Sequence, residues 1–268
     1  MKTIAIVTGA SSGMGREAAL QLAARFRRLD EIWLVARRKE RLLTLKKPLA
    51  RYGIKAVLLA GDLTDAQFLS GIEKRLSEER CGVIALVNAS GFGKIGAVAA
   101  LSEDVQADMV SLNCTALLRL CRMTLPYLLD GYSRILNFAS AAAFAPQPDF
   151  AVYAATKAFV LHFSEALHEE LKPRRIPVTA ICPGPVRTAF FSIAEEFHAE
   201  PVYKRLFYAN PKAVVRKALR DSQCGRPVSV YGISMRAFRI LARLLPHAVI
   251  FSAMRLLNRT PEKTHAQP

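Results

Sequence analysis

The sequence has no Cys-x-x-Cys pair. Its five cysteines, Cys81, Cys114, Cys121, Cys182 and Cys224, are scattered, and several sit in apolar runs. That excludes a zinc ribbon or dithiol motif and reads as reduced thiols in a cytoplasmic protein. The five histidines offer no metal-ligand spacing either. His162 and His168 share one helical pattern, His198, His247 and His265 lie apart, and no metal site is expected. No uncharged apolar run reaches the roughly eighteen residues of a membrane span. The apolar part of "MKTIAIVTGA" is too short for a secretory signal core. There is no Gly-x-Ser-x-Gly elbow, which argues against a serine hydrolase, and no Gly-Lys-Ser/Thr, which argues against phosphoryl transfer. Internal repeats and low-complexity linkers are also missing, so one domain is expected over 1–260, with 261–268 as a flexible tail.

Acids are the scarcer charge: 22 Asp and Glu stand against 38 Lys and Arg, a formal net charge of +16. This balance admits anionic ligands, an anionic membrane surface or nucleic acid. Without zinc spacing, an RNA-binding motif or a clustered basic tract, nucleic acid is not an expected partner.

What is present is an alternation. Apolar, β-rich runs at 3–8, 31–36, 55–60, 82–88, 133–139, 176–182 and 226–231 read as strands, and helical patterns separate them. Continuous apolar character fits a sheet buried on both faces. Strand–helix alternation with right-handed crossovers predicts an α/β fold: a Rossmann-type, doubly wound parallel sheet with helices on both faces. Residues 189–225 break the rhythm and read as a helical insertion.

The first strand runs straight into "TGASSGMGREAAL". Gly9, Gly13 and Gly15 permit a tight turn and a close backbone approach. The helix that follows offers free N–H groups and the positive end of its dipole to a pyrophosphate, and Ser11 and Ser12 add hydroxyls. A plain strand–helix turn is the alternative. Its position between first strand and first helix favours dinucleotide binding. After the second strand, where an acid would hold ribose hydroxyls, stand Arg37 and Arg38. Guanidinium groups there favour the 2′-phosphate of NADP(H) over NAD(H). After the third strand, Asp62 either accepts from the adenine amino group or caps the next helix.

"YAATK" at 153–157 puts Tyr153 and Lys157 four residues apart on a helix, offset by about 40°. A tyrosine with the ordinary pKa of about 10 shuttles protons poorly near neutrality. A neighbouring ammonium is expected to lower that pKa and make the phenol a usable acid/base. A core tyrosine beside a snorkelling lysine is the alternative.

"TGASSGMG" at 8–15, "GDLTD" at 61–65, "NASG" at 88–91, Asn113, Ser140, "YAATK" and "PGPVRT" at 183–188 together resemble the short-chain dehydrogenase/reductase family over roughly residues 3–190. The resemblance implies hydride transfer between a nicotinamide and a carbonyl or alcohol carbon. It implies catalytic roles for Ser140 (bonding the substrate oxygen), Tyr153 (the proton donor in reduction), Lys157 (also holding ribose hydroxyls) and Asn113 (anchoring a relay water). It implies cofactor contacts at Gly9, Ser11, Ser12, Gly13, Met14 and Gly15 in the first loop, and at Arg37, Arg38, Asp62 and Leu63 after the next two strands. Further contacts are implied at Asn88 and Gly91, at Tyr153 and Lys157, and at Pro183, Gly184, Val186 and Thr188. One departure stands out: the usual Asn-Asn-Ala-Gly is here Asn88-Ala89-Ser90-Gly91.

Residues 232–259 are apolar and basic, with Pro246 dividing two short helices. Arg236, Arg239 and Arg243 fall on one face, with Phe238, Leu241 and Leu245 opposite. A flap over the pocket, a peripheral membrane contact and an oligomer interface remain open. Phe144, Phe150, Phe190 and Phe191 hint at an apolar substrate pocket, although phenylalanines near a core are more often just core. The resulting expectation is an NADP(H)-dependent reductase of an apolar ketone or aldehyde, such as a long-chain acyl or steroid-like carbonyl compound, working as a homodimer or homotetramer. A non-catalytic NADP(H)-binding sensor is the rival.

Overall fold

Seven parallel strands form the centre of the molecule, in the order β3-β2-β1-β4-β5-β6-β7. Strands β1 (Thr3–Thr8), β2 (Glu31–Ala36), β3 (Lys55–Ala60) and β4 (Gly82–Asn88) coincide with the runs marked in the sequence. Strands β5 (Arg134–Phe138) and β6 (Val178–Ile181) are trimmed by a residue or two at each end. The edge strand β7 keeps only Val228–Ser229. Pro227, just before it, has no N–H to give a ladder, though its carbonyl accepts from Ala180 N at 2.8 Å. The computed structural model describes residues 1–26, 28–188 and 208–258, the last three of these by backbone alone. Phe190, Phe191, residues 189–207 of the expected insertion and the tail 261–268 lie outside the described residues.

Alternation along each strand sorts side chains to two faces. Ile4, Ile6, Trp33, Val35, Val83, Ile135 and Val178 pack against helices α4 (Ala66–Glu79), α6 (Leu117–Thr124) and α7 (Ala151–Leu171). Ala5, Val7, Ile32, Leu34, Val87, Leu136 and Ile181 pack against α1 (Gly13–Arg25), the short α2 (Lys39–Leu43) and α3 (Lys46–Ala50), and α8 (Pro211–Gln223). Both faces are covered, so each strand interior is apolar throughout, and each fully buried Leu or Ile contributes about 1.5–3 kcal/mol. Helix α8 occupies part of the expected insertion. It lies in the regular place of a crossover between β6 and β7, started by Asn210, whose side chain accepts from Lys212 N at 2.9 Å, and by Pro211 in the first turn.

The stretch 102–129 reads as one helical pattern in the sequence. It is two, α5 (Glu103–Val110) and α6, joined by a π-helical stretch at Ser111–Ala116. Beyond α8 and β7 come α9 (Ile233–Leu244) and α10 (His247–Asn258), with Pro246 between them. No helix among the described residues is long and apolar enough to cross a membrane.

Strand order reverses between β1 and β4, and their carboxyl ends open a crevice of the kind where such sheets take ligands. At the opposite end of the sheet the buried Glu31 accepts from Trp33 Nε1 (3.1 Å) and pairs with Lys55 (3.0 Å) and Lys2 (3.2 Å). Lys2 also pairs with Glu79, which takes Arg75 at 2.6 Å.

Candidate active site

The glycine loop and the loop after β4 meet over the crevice. Gly9 has φ +63°, and a Cβ there would lie 2.7 Å from the Ala89 carbonyl oxygen, so only glycine fits. Thr8, which the sequence reading passed over, fixes the second loop: its Oγ1 accepts from Ala89 N (3.0 Å) and Ser90 N (3.1 Å). Helix α1 begins after Ser12 with no side-chain cap, which leaves its first N–H groups for a ligand. Thr188, from the "PGPVRT" loop, reaches the glycine loop at Gly13, where a Cβ would sit 3.2 Å from Thr188 Cγ2.

Both arginines follow directly on β2. Arg38 Nη2 lies 3.5 Å from Ser11 Oγ, and exposed Arg37 lies 3.8 Å from Asp62. Asp62 does not cap the next helix. That place belongs to Asp65, which accepts from Gln67 N at 2.8 Å. Asp62 instead accepts from Thr64 N (2.9 Å) and Thr64 Oγ1 (2.8 Å) in a tight local turn. Burial works against its charge, but these bonds and Arg37 hold the carboxyl below its ordinary range. Leu63 and Val186 are buried, the latter bridged to Ala209.

Asn88 turns into the core. Its Nδ2 donates to Asn137 Oδ1 (2.9 Å) and lies 3.3 Å from Cys121 Sγ, while Asn137 Nδ2 donates to Ser164 Oγ (3.0 Å). This chain ties β4 and β5 to α7, which presents Tyr153 and Lys157. The loss of the usual second asparagine leaves Ala89 in the loop that Thr8 holds.

Ser140 follows β5 in an extended conformation, and its Oγ accepts from Ala142 N at 3.2 Å. Its side chain favours the Tyr153 phenolate, against the larger effect of burial. The Tyr153 ring stacks on Phe150 with centroids 4.3 Å apart. Asn113 lies in the π-helical stretch, where widened turns recur at functional sites. Its Oδ1 accepts from Phe92 N (3.1 Å), and its Nδ2 donates to Phe92 O (2.9 Å) and Thr156 Oγ1 (3.0 Å). Gly91 closes the group: a Cβ there would lie 2.7 Å from Asn113 Oδ1 and 3.2 Å from Lys157 Nζ. Asn113, Ser140, Tyr153, Lys157 and Gly91 are thus brought together. Among the described residues no group of His, Cys, Asp and Glu could hold a metal ion.

The electrostatics correct one expectation. Lys157 Nζ donates to the Phe138 carbonyl at 2.9 Å and lies 5.6 Å from the Tyr153 ring centroid. It sits over the ring, committed to a backbone oxygen, and does not depress the phenol. Burial prevails instead and pushes Tyr153 up to about 12, against the opposing Ser140 hydrogen bond. Burial likewise pulls Lys157 down to about 8. Near neutrality the pair therefore stands as neutral phenol and ammonium.

The short chain dehydrogenase family model matches residues 3–198. The chain belongs to the short-chain dehydrogenase family. Membership makes it an oxidoreductase acting on CH–OH and C=O groups. Similarity to solved structures spans the whole chain. A short-chain dehydrogenase from Sphingobium yanoikuyae, in complex with NADPH, is 30% identical with a TM-score of 0.75, covering 100% of this chain and 98% of that one. The bulky-bulky ketone specific alcohol dehydrogenase of Comamonas testosteroni is 27% identical with a TM-score of 0.72, covering 100% and 97%. The glycine betaine reductase ATRR of Emericella nidulans is 32% identical over 201 residues, which are 75% of this chain and 16% of that much longer protein.

Proposed function

We propose that this family member is an NADP(H)-dependent reductase of an apolar ketone or aldehyde, running in reverse on the matching alcohol. The observation that carries the reading is the buried Ser140–Tyr153–Lys157 group at the carboxyl ends of the strands, beside two arginines over the glycine loop. The free N–H groups of α1, the close approach at Gly9 and the hydroxyls of Ser11 and Ser12 fit a dinucleotide pyrophosphate. Arg37 and Arg38 fit a 2′-phosphate, Asp62 the adenine amino group, and Val186 and Thr188 the carboxamide end. When bound, the nicotinamide supplies or accepts the hydride.

The chain's own residues manage the proton. Ser140 Oγ and the Tyr153 phenol form a donor pair for one substrate oxygen. A phenol with a pKa of about 12 keeps its proton until charge develops on that oxygen. The Lys157 ammonium, lower in pKa than the phenol, can return a proton to the phenolate left after transfer. Asn113 and Gly91 lie beside Lys157, where a relay water would return the proton.

The buried Phe150 and half-buried Phe144 support an apolar pocket, as does the ketone named for the Comamonas testosteroni relative. Exposed Val110, Leu118 and Phe159, on α5, α6 and α7, support a homodimer or homotetramer. Five free thiols fit a reducing, cytoplasmic setting. The test is a pair of fluorescence titrations with NADPH and NADH at one salt concentration, followed by a carbonyl screen with the tighter cofactor. NADPH preference with turnover is expected. Equal or reversed preference removes the arginine argument, and binding without any turnover favours the sensor.

A further inference from the structure

Among the described residues, helix α9 is held by one side only. Met235 fills the space at Gly184, Phe238 packs on Phe144 with centroids 6.2 Å apart, and Ala242 is buried with Ala145 and Ile250. Arg239 pairs with Glu165 at 3.7 Å. The opposite side is aliphatic and bare: Ile233 is 86%, Leu244 73% and Ile240 60% exposed. Their spacing of seven and four residues confines them to an arc of about 40°. Leu241, Leu245 and Val249 extend the strip across Pro246 onto α10. Exposed Arg236 and Arg243 line one flank of this arc, and exposed Arg255 lies farther along α10.

Residues 232–258 contain four arginines and not one Asp or Glu. A self-complementary contact between two copies would bring Arg236, Arg243 and Arg255 to the same interface with no carboxylate on this segment to meet them. The exposed strip is also purely aliphatic, with none of the Tyr or Trp anchors that mark protein partners. An apolar stripe flanked by arginines is the pattern of a helix lying in a lipid interface.

We propose that this face docks the protein on an anionic lipid surface. Ile233, Ile240 and Leu244 enter the headgroup boundary while Arg236 and Arg243 meet lipid phosphates. The proposal is independent of the redox chemistry.

The test is co-flotation of the full chain with vesicles of phosphatidylcholine alone and with equal parts phosphatidylcholine and phosphatidylglycerol. Binding at least about tenfold tighter to the anionic vesicles is expected. The variant Ile240→Gln/Leu244→Gln should lose at least about tenfold of it, with melting temperature and NADPH binding unchanged. Arg236→Gln/Arg243→Gln should lose about tenfold by removing two phosphate contacts. Equal binding to neutral vesicles overturns the charge argument. Undiminished binding by the Ile240→Gln/Leu244→Gln variant means adsorption by net charge alone and overturns the docking face. Absence of vesicle binding overturns the proposal as well, and self-association that the same variant abolishes would assign the face to a second copy.

Discussion

The two ends of the parallel sheet treat charge in opposite ways. At the amino ends of β1–β3, Glu31 is buried and saturated: Trp33, Lys55 and Lys2 all contact it, and Lys2 shares Glu79 with Arg75. Burial alone would raise both carboxyls, yet their partners hold them below the ordinary range. At the carboxyl ends, the contacts are loose. Arg37 stands 3.8 Å from Asp62 and Arg38 3.5 Å from Ser11, α1 has no side-chain cap, and Tyr153 and Lys157 are held in their costlier direction by burial. One end spends its polar groups on the fold. The other keeps them for something that arrives later.

Four perturbations sharpen that contrast. The largest effect is expected from Tyr153→Phe, which removes the proton donor and keeps the ring on Phe150. Carbonyl reduction should fall by about 10²–10⁴ with NADPH binding intact, and unchanged turnover would remove Tyr153 from its role. Glu31→Gln should cost about 2–3 kcal/mol of stability in urea melts and leave the NADPH dissociation constant alone. The converse is Arg37→Ala/Arg38→Ala, where NADPH should bind about 10–100-fold more weakly, NADH equally well, and stability should move by less than about 0.5 kcal/mol. If this pair changes stability as much as Glu31→Gln does, the contrast between the ends fails.

The smallest effects are in pH. Tyr153 keeps its proton up to about 12, so Lys157, at about 8, sets the alkaline limb. Initial rates of carbonyl reduction should fall as pH rises through about 8, and a plateau reaching beyond pH 10 would exclude the ammonium from the step. At the other end the sign reverses. Glu31 and Glu79 have lowered folded-state values, so their stabilisation is full above the ordinary carboxylate range and is lost as pH falls below it through the lowered folded-state values. Glu31→Gln should flatten that acid limb in urea melts taken across it.

The strands and the glycine loop were legible because their signals are local: apolar runs and glycine spacing need no knowledge of the rest of the chain. The Tyr153–Lys157 pair was legible for the same reason, since four residues on a helix fix a shared face. Its electrostatics were not. The partner of Lys157 is the carbonyl of Phe138, 19 positions earlier, which no spacing rule finds. Thr8 under Ala89, and Asn137 between Asn88 and Ser164, were missed because each acts only through a distant neighbour. In α9 the periodicity suggested that Phe238 and Leu241 share a face. Docking on Phe144 chose the rotation, turning Phe238 in and Leu241 out. Helical period gives relative directions, and the surface met in three dimensions picks which one faces inward.

The π-helical stretch at Ser111–Ala116 has a consequence for how this segment tolerates insertion and deletion. A π turn is one residue more than an α-helix needs, so the segment is constrained in length as well as in residue type. Removing any one residue there would repair the helical ladder while rotating α5 about 100° against α6. Where the residue removed is not Asn113 itself, Asn113 would leave Phe92 and Thr156 with every motif residue still present. A tally of retained motif residues would read such a chain as intact.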